Sequence, residues 1–227
     1  MSNFDLVIFD CDGTLVDSET LNNVSTSEIL TEIGLEQYTP DYSMATFIGR
    51  SQPVIWKIIE EQIGKPLLAD INQRYIARIA RNRDLYLKPA PDALRVIEQI
   101  GKTHKTCVAS NGEVENVRTS IAGAGLSPFF PADQIYVAAM VQNPKPDPDL
   151  FLFAAKQNNA TPARTLVIED SLVGATAGVK AGMIVYGYTG LSHDPTDQAQ
   201  KMREIGVHHI SHSLLGILDI LKEAEAA

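Results

Sequence analysis

An apolar run, Leu6-Val7-Ile8-Phe9, breaks abruptly into Asp10-Cys11-Asp12-Gly13-Thr14, and no other feature limits the possible folds as much. Four consecutive apolar residues bounded by turn formers predict a short, fully buried strand. Such strands belong to parallel sheets covered by helices. The strand's end then delivers two carboxylates and a glycine into the loop past its C-terminal end, the edge where open α/β sheets hold their ligands.

The rest of the chain fits that sheet. Further strands are predicted at residues 106–109, 134–137, 165–168, 184–186 and 208–210. Helices are predicted between them: over residues 92–100 with Pro91 before, through Val117 and Ile121, and through Phe151, Phe153 and Ala154. Asp147 is expected as N-cap of the last of these and Pro148 as its first residue. Gly174, Ala175, Gly178, Ala181 and Gly182 predict a helix lying close on a sheet, and residues 213–223 a terminal amphipathic helix. Strands alternating with helices predict an α/β fold, a doubly wound parallel sheet with a Rossmann-like core. Residues 22–83 interrupt the alternation. Ile29, Leu30, Ile33 and Leu35, then Val54, Ile55, Ile58, Ile59 and Ile63, then Tyr75, Ile76 and Ile79 form stripes at helical spacing. They predict an all-helical cap domain at residues 16–87, inserted over the C-terminal edge of a core made of residues 1–15 and 88–227. Its hinges are expected near Leu15 to Glu19 and Leu87 to Pro91.

A chain of 227 residues suffices for one core domain with such an insert. No apolar run approaches the roughly 18 residues of a membrane helix, and no secretory signal pattern opens the sequence. Cys11 and Cys107 suggest neither a disulfide framework nor a zinc site. The expectation is a cytoplasmic protein. A formal net charge of −9 opposes phosphate backbones, so nucleic acid is not the expected partner. Small phosphorylated metabolites are not, because one bound cation reverses the local field.

Polar residues gather where the predicted strands stop: Asp10 and Asp12, then Ser110, Asn111 and Gly112, Lys145 in a loop between prolines, and Glu169 with Asp170. Phosphoryl transfer needs an in-line nucleophile, neutralised equatorial oxygens and a cation over the reacting groups. Asp10 can attack phosphorus through an aspartyl-phosphate, kept ionised by Lys145 and a divalent ion. Hard carboxylate oxygens suit Mg²⁺, with Asp10 and Asp170 as the pair and Glu169 in direct contact or one layer behind. Asp12 would protonate the leaving oxygen and then deprotonate water. Ser110 would donate its hydroxyl to phosphate with Asn111 and Gly112 beside it as phosphate-binding residues, Gly13 permits the turn that lets main-chain N–H groups face it, and Cys11 contributes its N–H.

Asp-Cys-Asp-Gly-Thr, Ser-Asn-Gly, Lys-Pro and Glu-Asp-Ser, in this order, resemble the four motifs of the haloacid dehalogenase superfamily. The nearest branch is that of sugar-phosphate phosphatases and β-phosphoglucomutase-like enzymes with a helical cap. The resemblance implies Mg²⁺-dependent attack by Asp10 and a main-chain carbonyl of Asp12 as a metal ligand. The second acid of the first motif favours phosphate chemistry over halide displacement. Phosphoglucomutases of this branch carry a His early in the first cap helix, where this chain has Asn22 and Asn23, which favours a hydrolase.

Blander readings stand beside these. An isolated Asp-x-Asp-Gly-Thr is often a turn. Glu169-Asp170 could simply cap a helix through its dipole, and Ser171 is read as an N-cap. His208, His209 and His212 lack acidic or cysteine partners nearby and are read as ordinary histidines. In the cap, Gly49-Arg50-Ser51 follows Phe47-Ile48; Arg50 could hold a second anionic group of the substrate, with Arg74 a weaker candidate, or Arg50 could be an exposed helix-start arginine. The expected activity is a Mg²⁺-dependent phosphatase, acting as a monomer on sugar phosphates or phosphoglycolate-like acids. A phosphomutase or pyrophosphatase is the alternative within enzymes. A phospho-accepting receiver module is disfavoured, because receivers are shorter, carry no cap and place the acidic pair after strand one.

Overall fold

A computed structural model describes residues 4–47, 50, 52–207 and 209–226, the last three without their side chains. The chain opens with β1 (Leu6–Phe9) and β2 (Val16–Asp17). Four helices follow: α1 (Glu19–Glu32), α2 (Pro40–Phe47), α3 (Gln52–Ile63) and α4 (Ile71–Tyr86). It returns through β3 (Lys88–Pro89), α5 (Ala93–Ile100), β4 (Lys105–Ser110), α6 (Val114–Gly123), β5 (Ile135–Val137) and α7 (Asp149–Gln157). Then come β6 (Thr165–Glu169), α8 (Leu172–Lys180), β7 (Ile184–Tyr188), α9 (Pro195–Glu204), β8 (His209–Ser211) and α10 (Gly216–Ala226). The chain divides into two compact units, Met1–Asp17 with Lys88–Ala227, and Ser18–Leu87.

Among the described residues the first unit holds a six-stranded sheet in the order β5-β4-β1-β6-β7-β8, with every neighbouring pair parallel. The sheet is buried because helices cover it; Leu6, Val7, Ile8 and Phe9 are all fully buried. Its core joins Leu6, Ile8, Cys107, Val167 and Val185 to Leu150, Phe151 and Ala154 on α7 and Ala175, Ala177 and Ala181 around α8. Small residues on α8 serve that packing, since a Cβ on Gly178 would meet Val185 at 2.7 Å. Register places the site. Phe9 pairs with Val108 and Ile168, and the Asp10 N–H donates to Ile168 O at 3.0 Å, so Asp10 lies level with Glu169 at the C-terminal edge.

Several local expectations shift. β2 and β3, unpredicted, form a two-stranded antiparallel ribbon pairing Val16 with Pro89 and Asp17 with Lys88. Two-residue strands leave no periodicity to read. α7 starts at Asp149 with Pro148 as its N-cap, one residue later than expected; Asp147 pairs instead with Lys180 at 3.3 Å. α5 starts at Ala93, and Asp92 before it has φ 61°. α10 begins at Gly216 rather than residue 213. The predicted strand start at His208 lies outside the described residues. The second unit is helical, and its core is built from Ile29, Leu30, Tyr38, Phe47, Ile55, Trp56, Ile59 and Ile71.

Candidate active site

The ends of β1 and β6 and the loop beyond β5 bring their side chains together in the first unit. Lys145 Nζ donates to Asp10 Oδ1 at 2.6 Å and to Glu169 Oε1 at 2.8 Å. The lysine side chain is 3% exposed and Glu169 1%, so both charges are desolvated and exist only as partners. The Phe151 ring lies 4.6 Å from the ammonium and contributes a cation–π contact. Glu169 is saturated: its Oε2 accepts from the Ser171 N–H at 2.8 Å and hydroxyl at 2.9 Å. Ser171 Oγ in turn accepts from the Gly174 N–H at 2.9 Å, which makes it the N-cap of α8. Gly174 is forced by this packing, because a Cβ there would collide with the Glu169 carboxylate.

The loop after β1 closes on itself. Thr14, Leu15 and Val16 donate their N–H groups to Cys11 O, and Gly13 donates to Val16 O at 2.9 Å. Gly13 has φ 83°, and a Cβ there would collide with the Asp170 carboxylate, so only glycine fits. Thr14, fully buried, donates its hydroxyl to Asp170 Oδ1 at 2.9 Å. From α9, Gln198 Nε2 donates to the main-chain carbonyl of Asp170.

Negative charge exceeds positive charge here. Burial pushes Asp10 up to about 7, the Lys145 ammonium opposing and the Glu169 carboxylate adding to the rise. Burial, then Glu169 and Asp10, hold the Asp170 carboxyl well above the usual carboxylate range. Burial alone would lower Lys145, but the charges of Asp10 and Glu169 outweigh it and raise it. Asp10, Glu169 and Asp170 thus lie close enough for their charges to oppose one another, and the Lys145 ammonium bonds only the first two of them. A cation with a preference for hard oxygen would relieve that imbalance, and the donor set fits one: Asp10 and Asp170 are carboxylates, whereas both Glu169 oxygens already accept hydrogen bonds. Among the described residues no three His, Cys, Asp or Glu side chains form a ready-made metal cluster.

The chain matches the model of the haloacid dehalogenase-like hydrolases over residues 7–188. It belongs to that family. It is 31% identical over 195 residues to 6-phosphogluconate phosphatase of Escherichia coli, covering 86% of each chain. It is 26% identical over 197 residues to phosphoglycolate phosphatase of Aquifex aeolicus, covering 85% of this chain and 90% of that one. Among solved structures it resembles a haloacid dehalogenase family hydrolase from Deinococcus radiodurans, crystallised with bound phosphate and sodium. The TM-score is 0.80 at 27% identity, covering 99% of this chain and 98% of that one. The chain is therefore an enzyme of a hydrolase family.

In this haloacid dehalogenase-like hydrolase Ser110 is the last residue of β4, 4% exposed, its hydroxyl accepting from the Gly112 N–H at 3.1 Å. Asp12 is exposed beside the buried Asp10. Cys11 is buried, and burial raises its thiol far from thiolate chemistry. Asn111 turns its side chain onto the Lys145 main chain: Nδ2 donates to Lys145 O at 2.9 Å and Oδ1 accepts from Lys145 N–H at 3.2 Å. The Gly13 N–H is likewise committed to its own loop, so Gly13 acts through shape. In the helical unit Arg50 is exposed, and its Nε donates to Thr46 O at 3.3 Å. Arg74 pairs with Asp70 at 2.9 Å on an exposed turn of α4. Gly49, Ile48 and Ser51 lie outside the described residues. His212 shares a 2.6 Å hydrogen bond with Thr189 and His209 is exposed. Sequence reasoning missed Thr14, Gln198 and Gly174 as supports of the acidic pair. Gly174 carried a signal only for close helix packing, and α9 one in Asp194 as N-cap before Pro195.

Proposed function

We propose that this chain is a Mg²⁺-dependent phosphatase of small phosphorylated metabolites. The observation that carries the reading is the buried contact of Lys145 with both Asp10 and Glu169 at one sheet edge, next to Asp170. Asp10 attacks phosphorus, forming an aspartyl-phosphate, while the Asp12 carboxylic acid gives its proton to the departing alcohol oxygen. The Asp12 carboxylate then takes a proton from water as that water attacks phosphorus, releasing inorganic phosphate and restoring Asp10. Lys145 holds Asp10 in place and faces the phosphoryl oxygens with positive charge, and Ser110 offers them its hydroxyl. Asp10 and Asp170 would hold the Mg²⁺ with the Asp12 carbonyl, and the ion supplies neutralisation of phosphoryl charge when bound. The relatives named for 6-phosphogluconate and phosphoglycolate support a small, acidic, phosphorylated substrate, and Arg50 is the candidate for its second anionic group. Asn22 and Asn23 stand where a phosphoglucomutase-like histidine would be, and Asn22 Oδ1 already accepts from the Tyr75 hydroxyl at 3.0 Å, which favours hydrolysis over a mutase.

The test is multiple turnover of p-nitrophenyl phosphate with Mg²⁺, then of a panel including 6-phosphogluconate and 2-phosphoglycolate. Asp10→Asn is expected to remove at least about a thousandfold of the activity. Full activity in that variant, or no turnover with any divalent ion, would refute the assignment.

A further inference from the structure

We propose that Asn111 is a positioning residue that clamps the catalytic lysine, and that its side chain takes no part in holding phosphate. The inference rests on the phosphatase reading above for the role of Lys145, but the clamp itself stands on geometry.

Asn111 follows Ser110 at the end of β4, and Lys145 lies 34 residues later in the loop beyond β5. The Asn111 amide reaches across and pairs with both main-chain polar groups of Lys145, donating to its carbonyl at 2.9 Å and accepting from its N–H at 3.2 Å. An amide side chain is suited to this, because it carries a donor and an acceptor side by side. Pro144 and Pro146 flank the lysine, so the loop has no N–H on either side with which to form a ladder of its own. Asn111 takes the place of that ladder. Lys145 is then held at both ends: its main chain by Asn111 and its ammonium by Asp10 and Glu169. A four-carbon stem anchored only at its tip would let the loop drift, and small displacements of charge at a reacting centre are costly. The same residue ties Ser110 to Lys145, so the hydroxyl and the ammonium keep one spacing. With both amide atoms engaged, the side chain has little left to offer a phosphate.

Two readouts test this in the full chain. The first needs no activity: lysines are labelled with acetic anhydride and read by mass spectrometry. In Asn111→Ala the Lys145 labelling rate is expected to rise about five- to thirtyfold, from loss of two hydrogen bonds, while exposed Lys102 is unchanged. The second is kinetic: kcat for p-nitrophenyl phosphate is expected to fall about ten- to a hundredfold with KM within about twofold. Asn111→Asp keeps the acceptor for the Lys145 N–H and loses the donor to its carbonyl. It is expected to lie between wild type and Asn111→Ala in both readouts, and it decides the matter if the alanine variant folds poorly. Unchanged Lys145 labelling, or a raised KM at undiminished kcat, overturns the proposal. If the wild type turns over no phosphate ester, the functional reading fails while the labelling still decides the clamp.

Discussion

Gly174 and Gly34 show how one substitution at the residue scale acts through two mechanisms. At Gly174 a Cβ would run into the carboxylate of Glu169, which is buried and bound by Lys145 and Ser171, so nothing can yield cheaply. Gly34 has φ 83° with open space around its Cα. Gly34→Ala therefore carries only the left-handed backbone cost, about 1 kcal/mol. Gly174→Ala should cost about 3 kcal/mol or more, through overpacking and a disturbed buried ion pair. For a chain this long that is a melting-point fall of roughly 6–12 °C against roughly 2–4 °C for Gly34→Ala. Thermal denaturation of both variants checks the order; equal losses would mean that the Glu169 carboxylate can move aside. Asp10, Lys145, Glu169 and Asp170 were all legible as chemistry-bearing residues, because each sits at the end of an apolar run or between prolines. Their supports were not. Asn111 reads from sequence as a phosphate-binding residue at a strand end, and its bonds to Lys145 exist only because parallel pairing of β4 with β1 and β5 aligns two distant loops.

At the scale of elements, the strands of the main sheet were readable to within a few residues, since runs such as Thr165-Leu166-Val167-Ile168 have few other places to go. Helix α9 was missed because it lacks an apolar stripe; Ala199 and Met202 are its only buried side chains. Asp194 accepting from the Asp197 N–H, with Pro195 at the first position, was the available signal. The element matters because its Gln198 holds the main-chain carbonyl of Asp170 while Thr14 bonds the carboxylate. Gln198→Ala should lower stability by about 1 kcal/mol, a melting-point shift of roughly 2–4 °C. If Asp170 serves the cation, the same variant should need several-fold more Mg²⁺ for half-maximal turnover, on the order of the hydrogen bond lost. A Mg²⁺ titration at fixed substrate measures it, and an unchanged midpoint would limit Gln198 to a structural part.

For the whole molecule, the decisive quantity is how uncompensated acid in the site loads the fold. Asp10 titrates near 7 in the folded protein against an ordinary 3.8, and Asp170 is raised in the same sense. A carboxyl with a raised folded value binds its proton more tightly when folded, so through Asp10 stability falls as pH rises from about 4 to about 7, and Asp170 adds a fall in the same direction. Lys145 is raised too, but its contribution changes only in strongly alkaline solution. The metal-free protein should therefore melt at higher temperature at pH 5 than at pH 8. The formal charge of −9 acts in the same direction, because repulsion among surface acids also grows with pH. Salt separates the two: exposed charges are screened at 0.5 M NaCl, whereas a buried carboxylate is screened far less. Asp170→Asn completes the test, since the amide keeps an acceptor for Thr14 and removes one buried charge. At pH 8 without metal it should melt about 2–8 °C above the wild type, for on the order of 1–2 kcal/mol of relieved desolvation, and the gap should narrow at pH 5. With Mg²⁺ the order should reverse, because the wild type gains binding energy that the variant has lost. A wild-type slope that vanishes in salt, or persists unchanged in Asp170→Asn, would place the pH dependence on the surface instead of in the site.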